Sequence, residues 1–354
     1  MKYYQWLDEW LENYVKPSSK IRTYDNYVHL TTHHIKAKLG EYELDDLTPI
    51  ILQKFFTELM QSGNVRTGKG LSTNSVNSII TVVQTSLKLA FDLGLCKEYA
   101  ASRVKRPKKS EKEISCFSLA EQKKIEQFVR ESKKRKFFGI LLCLYSGLRV
   151  GELLALEWQD VDFAKGIISV GKSCHDGKDE NGKFIRITDT PKTSSSKRVI
   201  PLPKQILPLL KDHKKHSTST YIIADDKGEP ISVRSYQRSF ELILKKLKIE
   251  HKGFHSLRHT FATRALECGM DIKTLADILG HKNPTVTLNR YVHSLMEHKA
   301  EMMNRLGKFL WFWSSFIAII SEILHNNYNR KHAKSQYVYP NIKKVLTFFL
   351  LLPS

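Results

Sequence analysis

Along the first hundred residues the apolar positions recur at helical intervals. In "STNSVNSIITVVQTSLKLAFDLG", Val76, Ile79, Ile80, Val83, Leu87 and Phe91 follow a 3.6-residue period. Ser72 precedes this run as a cap and Gly94 follows it as a stop. "LTPIILQKFFTELM" has the same grammar, with Thr48 as cap and Pro49 in the first turn, where a missing N–H costs nothing. "TYDNYVHLTTHHIKAKLG" is a less regular helical pattern ending at Gly40, and "YYQWLDEWLENYV" leads into these helices almost directly. The pattern predicts a small helical domain over residues 1–102, with no further module ahead of it.

From residue 103 the periodicity stops. "SRVKRPKKSEKE" sets Arg103, Lys105, Arg106, Lys108 and Lys109 around Pro107 with almost nothing apolar between them. Such a run predicts a linker over 103–113, either solvated or lying on phosphates. A new helix opens at "SLAEQKKIEQFV", where Ser118 and Glu121 stand at capping-box spacing, and a second domain is expected over 114–307. There, "FFGILLCLYSGLRVGELLALEW" is a nearly all-apolar helix broken around Gly147. "GIISVGKS", "FIRITDT" and "KRVIPL" are short β-type runs between clusters of Gly, Asn, Asp and Ser. They predict one small antiparallel sheet, with "PKTSSSK" as the turn between its last two strands. Helices resume in "SYQRSFELILKKLKI", where Phe240, Ile243, Leu244 and Leu247 share a face, and continue through "HSLRHTFATRALECG" and "DIKTLADILG". The expected fold is mainly α with a small antiparallel β-sheet, a helical N-terminal domain preceding an α+β one.

Past Gly307 the pattern changes again. Residues 308–354 contain "FLWFWSSFIAII" and "VLTFFLLLP", with a polar, basic segment between them. Both runs fall short of the ~20 apolar residues that span a bilayer. A hydrophobic and basic extension, packing on the protein itself or on a partner, is the expectation.

Charge narrows the function. The 354 residues hold 57 Lys and Arg against 36 Asp and Glu, a net charge of +21, which suggests a polyanionic partner such as nucleic acid or an anionic membrane. The five cysteines (Cys96, Cys116, Cys143, Cys174, Cys268) are odd in number and form no CxxC pair. That favours a reducing compartment over a disulfide or zinc framework. Early acids and the lack of an uninterrupted apolar core argue against a secretory signal at the N-terminus, so a cytoplasmic protein is expected.

Six polar positions punctuate the apolar elements: Arg149, Lys192, His255, Arg258, His281 and Tyr291. Taken singly, each has a structural explanation. Arg149 can pair with Glu152, Lys192 can serve a turn, His281 can meet the end of a helix, and Tyr291 can fill a core. His255 and His259 stand four apart, as a metal pair would, but without the glutamate of an HExxH motif. Taken together, the six suit attack on a phosphodiester. Arg149 and Arg258 offer rigid donor forks that match phosphate geometry and stay charged. His255 and His281 can donate to the phosphate or exchange protons near neutrality. Lys192 can protonate a departing oxygen, and Tyr291 can supply the attacking one if nearby cations or a base lower its ordinary pKa of about 10. Such a site stabilises charge without a metal, and no cofactor is called for.

The segments "SGLRVGELLAL", "HSLRHTFATRALECGMDIKTLADILGHK" and "TLNRYVHS" strongly resemble the tyrosine recombinase (phage integrase) family, especially integrases of phages and mobile elements. The resemblance runs from the N-terminal helices to about Gly307, and the Arg…HxxR…GH…Tyr order carries it. It implies Arg149 as phosphate clamp with Glu152 as its nearby acid, Lys192 as the hairpin lysine, and His255 with Arg258 as the HxxR pair. His281 would be the next histidine and Tyr291 the nucleophile. It further implies a core-binding and a catalytic domain clamped on double-stranded DNA at core-type sites, and a homo-oligomer, a tetramer on paired sites. Host DNA-bending or excision factors would assist at the nucleoid. The reaction would be an ATP-independent transesterification through a 3′-phosphotyrosyl link, integrating or excising an element. A type IB topoisomerase-like enzyme and a non-catalytic, sequence-specific DNA-binding protein are the rival readings.

Overall fold

The structure, a computed structural model, describes residues 1–108, 115–178, 184–189, 197–281 and 283, with 303–304, 306–308 and 310–311 near the C-terminus. Lys109, Lys192, Tyr291, the remainder of the linker, the turn segment 191–196 and the extension from 312 onward lie outside the described residues. The chain divides into two compact units, Met1–Glu113 and Ile114–Ser354.

In the first unit, α1 (Tyr3–Trp10) runs into α2 (Lys16–Ser18) through a π-helical turn at Leu11–Val15. In the same way α3 (Ile21–Leu30) joins α4 (Lys36–Leu39) through Thr31–Ile35. A π turn shifts the phase of the apolar stripe, which accounts for the irregular pattern up to Gly40. Two longer helices follow, α5 (Pro49–Ser62) and α6 (Thr73–Asp92), and their caps are the expected ones. Thr48 Oγ1 accepts from the N–H of Ile51, and Ser72 Oγ accepts from that of Ser75. Trp6, Tyr3, Phe56, Ile79 and Ile80 fill the core, while Phe91 departs from the predicted face and is 42% exposed. The polar tips of the buried rings are satisfied on one residue of α6. Tyr3 Oη shares a hydrogen bond with Ser86 Oγ at 2.8 Å, and Trp6 Nε1 donates to Ser86 O at 3.0 Å.

The basic stretch lies at the end of this unit, and its described part, 103–108, packs on the helices before it. Val104 is buried, and the backbone N–H of Lys105 donates to Gln53 Oε1. The guanidinium of Arg106 donates to Thr81 Oγ1, Gln84 Oε1 and the carbonyl of Asn77, while Asn77 donates to the carbonyl of Pro107. Arg103 pairs with Glu98 at 2.9 Å. The first half of a charge run expected to be either solvated or lying on phosphates is thus hydrogen-bonded to α5 and α6.

The second unit begins with α7 (Leu119–Glu131), α8 (Phe138–Ser146) and α9 (Val150–Ala155). Ser118 and Glu121 form the predicted capping box on α7. The strands are β1 (Val161–Asp162), β2 (Ile167–Val170), β3 (Ser173–Lys178), β4 (Phe184–Asp189) and β5 (Arg198–Pro201). They make two sheets rather than the single one expected. One has the order β1-β2-β5 and the other is the ribbon β3-β4, all pairings antiparallel. Among the described residues β4 and β5, which flank Lys192 in the chain, pair in different sheets rather than with each other. The sequence of β3, "SCHDGK", lacks the apolar alternation that marks a half-buried strand. Tertiary contacts hold it instead. A Cβ on Gly151 of α9 would meet Cys174 O at 2.4 Å, so α9 and β3 approach too closely for any side chain there.

The chain continues through α10 (Leu207–Lys215), α11 (Val233–Lys246), α12 (His255–Glu267) and α13 (Ile272–Leu279). Asp176 of β3 accepts from the N–H groups of Val233 and Arg234, capping α11 and fastening the ribbon to it. Phe117, Leu142, Leu153, Ile168, Ile223, Phe240 and Leu257 are among the residues of the main core. Ala262, Leu266, Leu275 and Leu279 form a second cluster between α12 and α13. Among the described residues, no helix is long and apolar enough to cross a membrane.

Candidate active site

Four of the six predicted residues are described: Arg149, His255, Arg258 and His281. The elements that carry them are cross-braced at one place. α8 ends at Gly147, whose φ is +64°; a Cβ there would lie 2.5 Å from Phe261 Cδ1 and 2.8 Å from Leu279 Cδ2. Only glycine fits both the left-handed backbone and the space. The tight break lets the carbonyl of Gly147 accept from Arg258 Nη1 at 2.8 Å. Arg258 Nη2 donates to the carbonyl of Leu279 at 2.6 Å and lies 3.0 Å from His281 Nε2.

Leu279 is the last residue of α13, where the carbonyls lack intrahelical donors and the helix dipole is negative. A guanidinium is a natural partner for that end. Gly280 follows with φ +66°, and the N–H of His281 turns back to the carbonyl of Ala276 at 2.9 Å. This closing bond of a left-handed helix cap fixes where the His281 backbone leaves the helix.

Two residues beyond Gly147, Arg149 opens α9. Its backbone N–H donates to Glu152 Oε2 at 2.9 Å and its Nη1 donates to Oε1 at 2.7 Å. The pairing of Arg149 with Glu152 proposed from the sequence is present, but not on the surface. The side chain of Glu152 is 7% exposed, against 37% for that of Arg149. Burial alone would raise the pKa of Glu152, yet the hydrogen bonds and charge of Arg198, with Arg149 behind them, hold it down at about 2.

Arg198 is absent from the set read off the sequence. It begins β5, and its side chain is 6% exposed. Nη1 and Nη2 donate to Oε1 and Oε2 of Glu152 at 3.1 and 2.9 Å, and Nε donates to the carbonyl of Ile278 at 2.6 Å. The contacts therefore close into a ring. Gly147 accepts from Arg258, Arg258 reaches the end of α13 at Leu279, Arg198 reaches that end at Ile278, and Arg198 and Arg149 share Glu152. The sequence holds one faint signal for Arg198, a charged residue opening the apolar run "RVIPL". Its partners lie 46 and 80 residues away, beyond the reach of local pattern.

His255, the first residue of α12, is exposed, and its ring lies 4.6 Å from that of His259 at 88°. Cys143 is buried under the same break, and burial pushes its thiol far above the ordinary range, so it is no nucleophile here. The site thus presents Arg149, His255 and His281 with accessible surface, and holds Arg258 and Arg198 within the protein.

Comparison with known proteins bears on this arrangement. Residues 118–298 match the model of the phage integrase family, and residues 2–60 match that of the phage integrase N-terminal SAM-like domain. The chain belongs to the phage integrase family. With that membership comes its activity, the cutting and rejoining of DNA strands by a tyrosine recombinase. The chain is 28% identical over 327 residues to a tyrosine recombinase XerC-like protein of Caldanaerobacter subterraneus, covering 85% of this chain and 81% of that one. It is 27% identical over 304 residues to the ICEBs1 integrase of Bacillus subtilis, covering 82% and 79%. Among solved structures, the integrase of transposon Tn1549 superposes with a TM-score of 0.73 over 86% of this chain and 99% of that one, at 21% identity. A lambda integrase fragment superposes at 0.63 over 82% and 95%, at 22% identity. At such identities the structures show a shared fold, mainly helical with small antiparallel sheets.

Proposed function

We propose that this recombinase integrates or excises a phage or mobile element at specific DNA sites, with Tyr291 as its nucleophile. The observation that supports the reading is the ring just described, which holds Arg149, Arg258 and His281 together as a fixed positive cradle, with His281 ten residues ahead of Tyr291 in the sequence. Preorganised charge of this kind favours a pentacoordinate phosphorus, whose extra negative charge builds on the non-bridging oxygens. Arg149 keeps more than a third of its side chain exposed, so a phosphate meets it first. Arg258, 2% exposed, adds its charge from behind and holds His281.

In the proposed step, Tyr291 Oη attacks the phosphorus and gives its proton to a histidine, His255 or His281. The bond from phosphorus to the 5′ oxygen breaks, and Lys192 supplies the proton that this oxygen takes. A 3′-phosphotyrosyl link and a 5′-hydroxyl result. A 5′-hydroxyl of a partner duplex then attacks the link, the phenol regains its proton, and one phosphodiester has replaced another without ATP. The partners proposed are double-stranded DNA at core-type sites and further copies of this chain. The lambda integrase has been solved as a dimer on a core site and as a tetramer on a Holliday junction, and the same assembly is proposed here. Its place of work would be the cytoplasm, on the nucleoid.

Incubating the full chain with a pool of random-sequence duplexes and separating products under denaturing conditions tests the reading. The wild type should capture DNA covalently, and Tyr291→Phe should bind the recovered duplexes without capturing them. Capture by the phenylalanine variant would refute the assignment.

A further inference from the structure

Glu152 poses a problem of charge. A carboxylate buried against Arg149 should cancel the cation that a phosphate is meant to meet, and in surroundings of low dielectric the cancellation is strong. One carboxylate and one guanidinium sum to zero. Two guanidiniums on the same carboxylate leave a unit of positive charge, and of the two only Arg149 has much exposed surface.

We propose that Arg198 is a positioning residue for strand cleavage: by taking both oxygens of Glu152 it lets that carboxylate orient Arg149 without neutralising it, and it holds the end of α13 against the same group. The inference rests on the reading above, in which Arg149 meets the scissile phosphate. Three features of the site carry it. Arg198 is too buried to touch DNA itself, so its charge acts through Glu152. Its three nitrogens serve three acceptors at once, two on Glu152 and one on Ile278, a task that needs the planar fork of arginine and that a lysine ammonium cannot match. Finally, the end of α13 approaches it closely enough that a Cβ on Gly280 would lie 3.1 Å from Arg198 Cδ and Nη1. Because His281 begins one residue later, Arg198 also sets where that histidine stands.

The test uses the full chain and duplexes recovered by covalent capture from the random pool. Single-turnover adduct formation is measured for wild type, R198M, R198K and the double variant R198M/E152Q, well below the lowest melting temperature of the set. R198M should slow adduct formation by about 100-fold, the scale of losing one preorganised charge, with DNA affinity little changed. Adding E152Q removes the uncompensated carboxylate and should recover roughly tenfold of that loss, since Arg149 regains its charge. A merely structural role predicts no recovery, and a double variant as slow as R198M overturns the proposal. R198K, which keeps the charge but not the fork, should fall between wild type and R198M. If R198M does not fold, R198Q and R198Q/E152Q make the same comparison, with recovery in the double variant supporting the proposal and its absence overturning it. A wild-type protein that captures no duplex would remove the nucleophilic reading first and this inference with it.

Discussion

At Gly147 the backbone takes a left-handed turn in a space where even a methyl group would collide with Phe261 and Leu279. Gly147→Ala should therefore destabilise the second unit by about 2–4 kcal/mol, from overpacking and backbone strain combined, as urea unfolding would measure. An unchanged midpoint would show that the break is softer than the packing implies. Glu152 gives a prediction in pH. Its pKa is about 2 in the folded protein against an ordinary 4.5, so the stabilisation it supplies is complete above about pH 4.5 and is lost as pH falls toward 2. For so buried a group the effect is on the order of 3 kcal/mol, and Glu152→Gln should abolish that part of the acid sensitivity. Unfolding midpoints followed from pH 5 to 2 would reveal it. A difference between the two proteins that did not vary with pH would contradict the pairing. At this scale residue type singled out Arg149, Arg258 and His281, and the structure links them through Gly147, Glu152 and the end of α13. The sequence was opaque for Arg198, whose role exists only once β5, α9 and the end of α13 meet.

Elements were legible where their signals are local. Thr48, Ser72 and Ser118 each cap the helix that follows, because a hydroxyl beside three free N–H groups needs no tertiary context. The strands were harder. β3 carries polar residues throughout and is held by Asp176 on the start of α11 and by its closeness to Gly151, contacts that lie far away in the chain. Two sheets were consequently read as one. Asp176→Ala should free two N–H groups of α11 and loosen the ribbon β3-β4. Amide exchange should then quicken in Ser173–Lys178 and Phe184–Asp189 while β2 and β5 stay protected. Equal protection throughout would mean that the ribbon does not depend on this cap.

For the molecule as a whole, two separate cores mark one helical unit and one α+β unit, and a net charge of +21 gives the chain a surplus of cations. Binding that neutralises several phosphates releases counterions, so raising salt from about 50 to 200 mM should weaken binding to captured duplexes by about 10³-fold. A salt-independent affinity would place the recognition elsewhere. In the basic stretch Arg103 and Arg106 are exposed while also pairing with Glu98 and Gln84 of the first unit. The central claim is that Tyr291 carries the DNA through a cradle built on Arg149 and Arg258. Its most direct test is mass spectrometry of the covalent product after nuclease and trypsin digestion. The account predicts the nucleotide on the peptide Tyr291–Lys299, attached through the phenolic oxygen. Attachment to any other residue would contradict it.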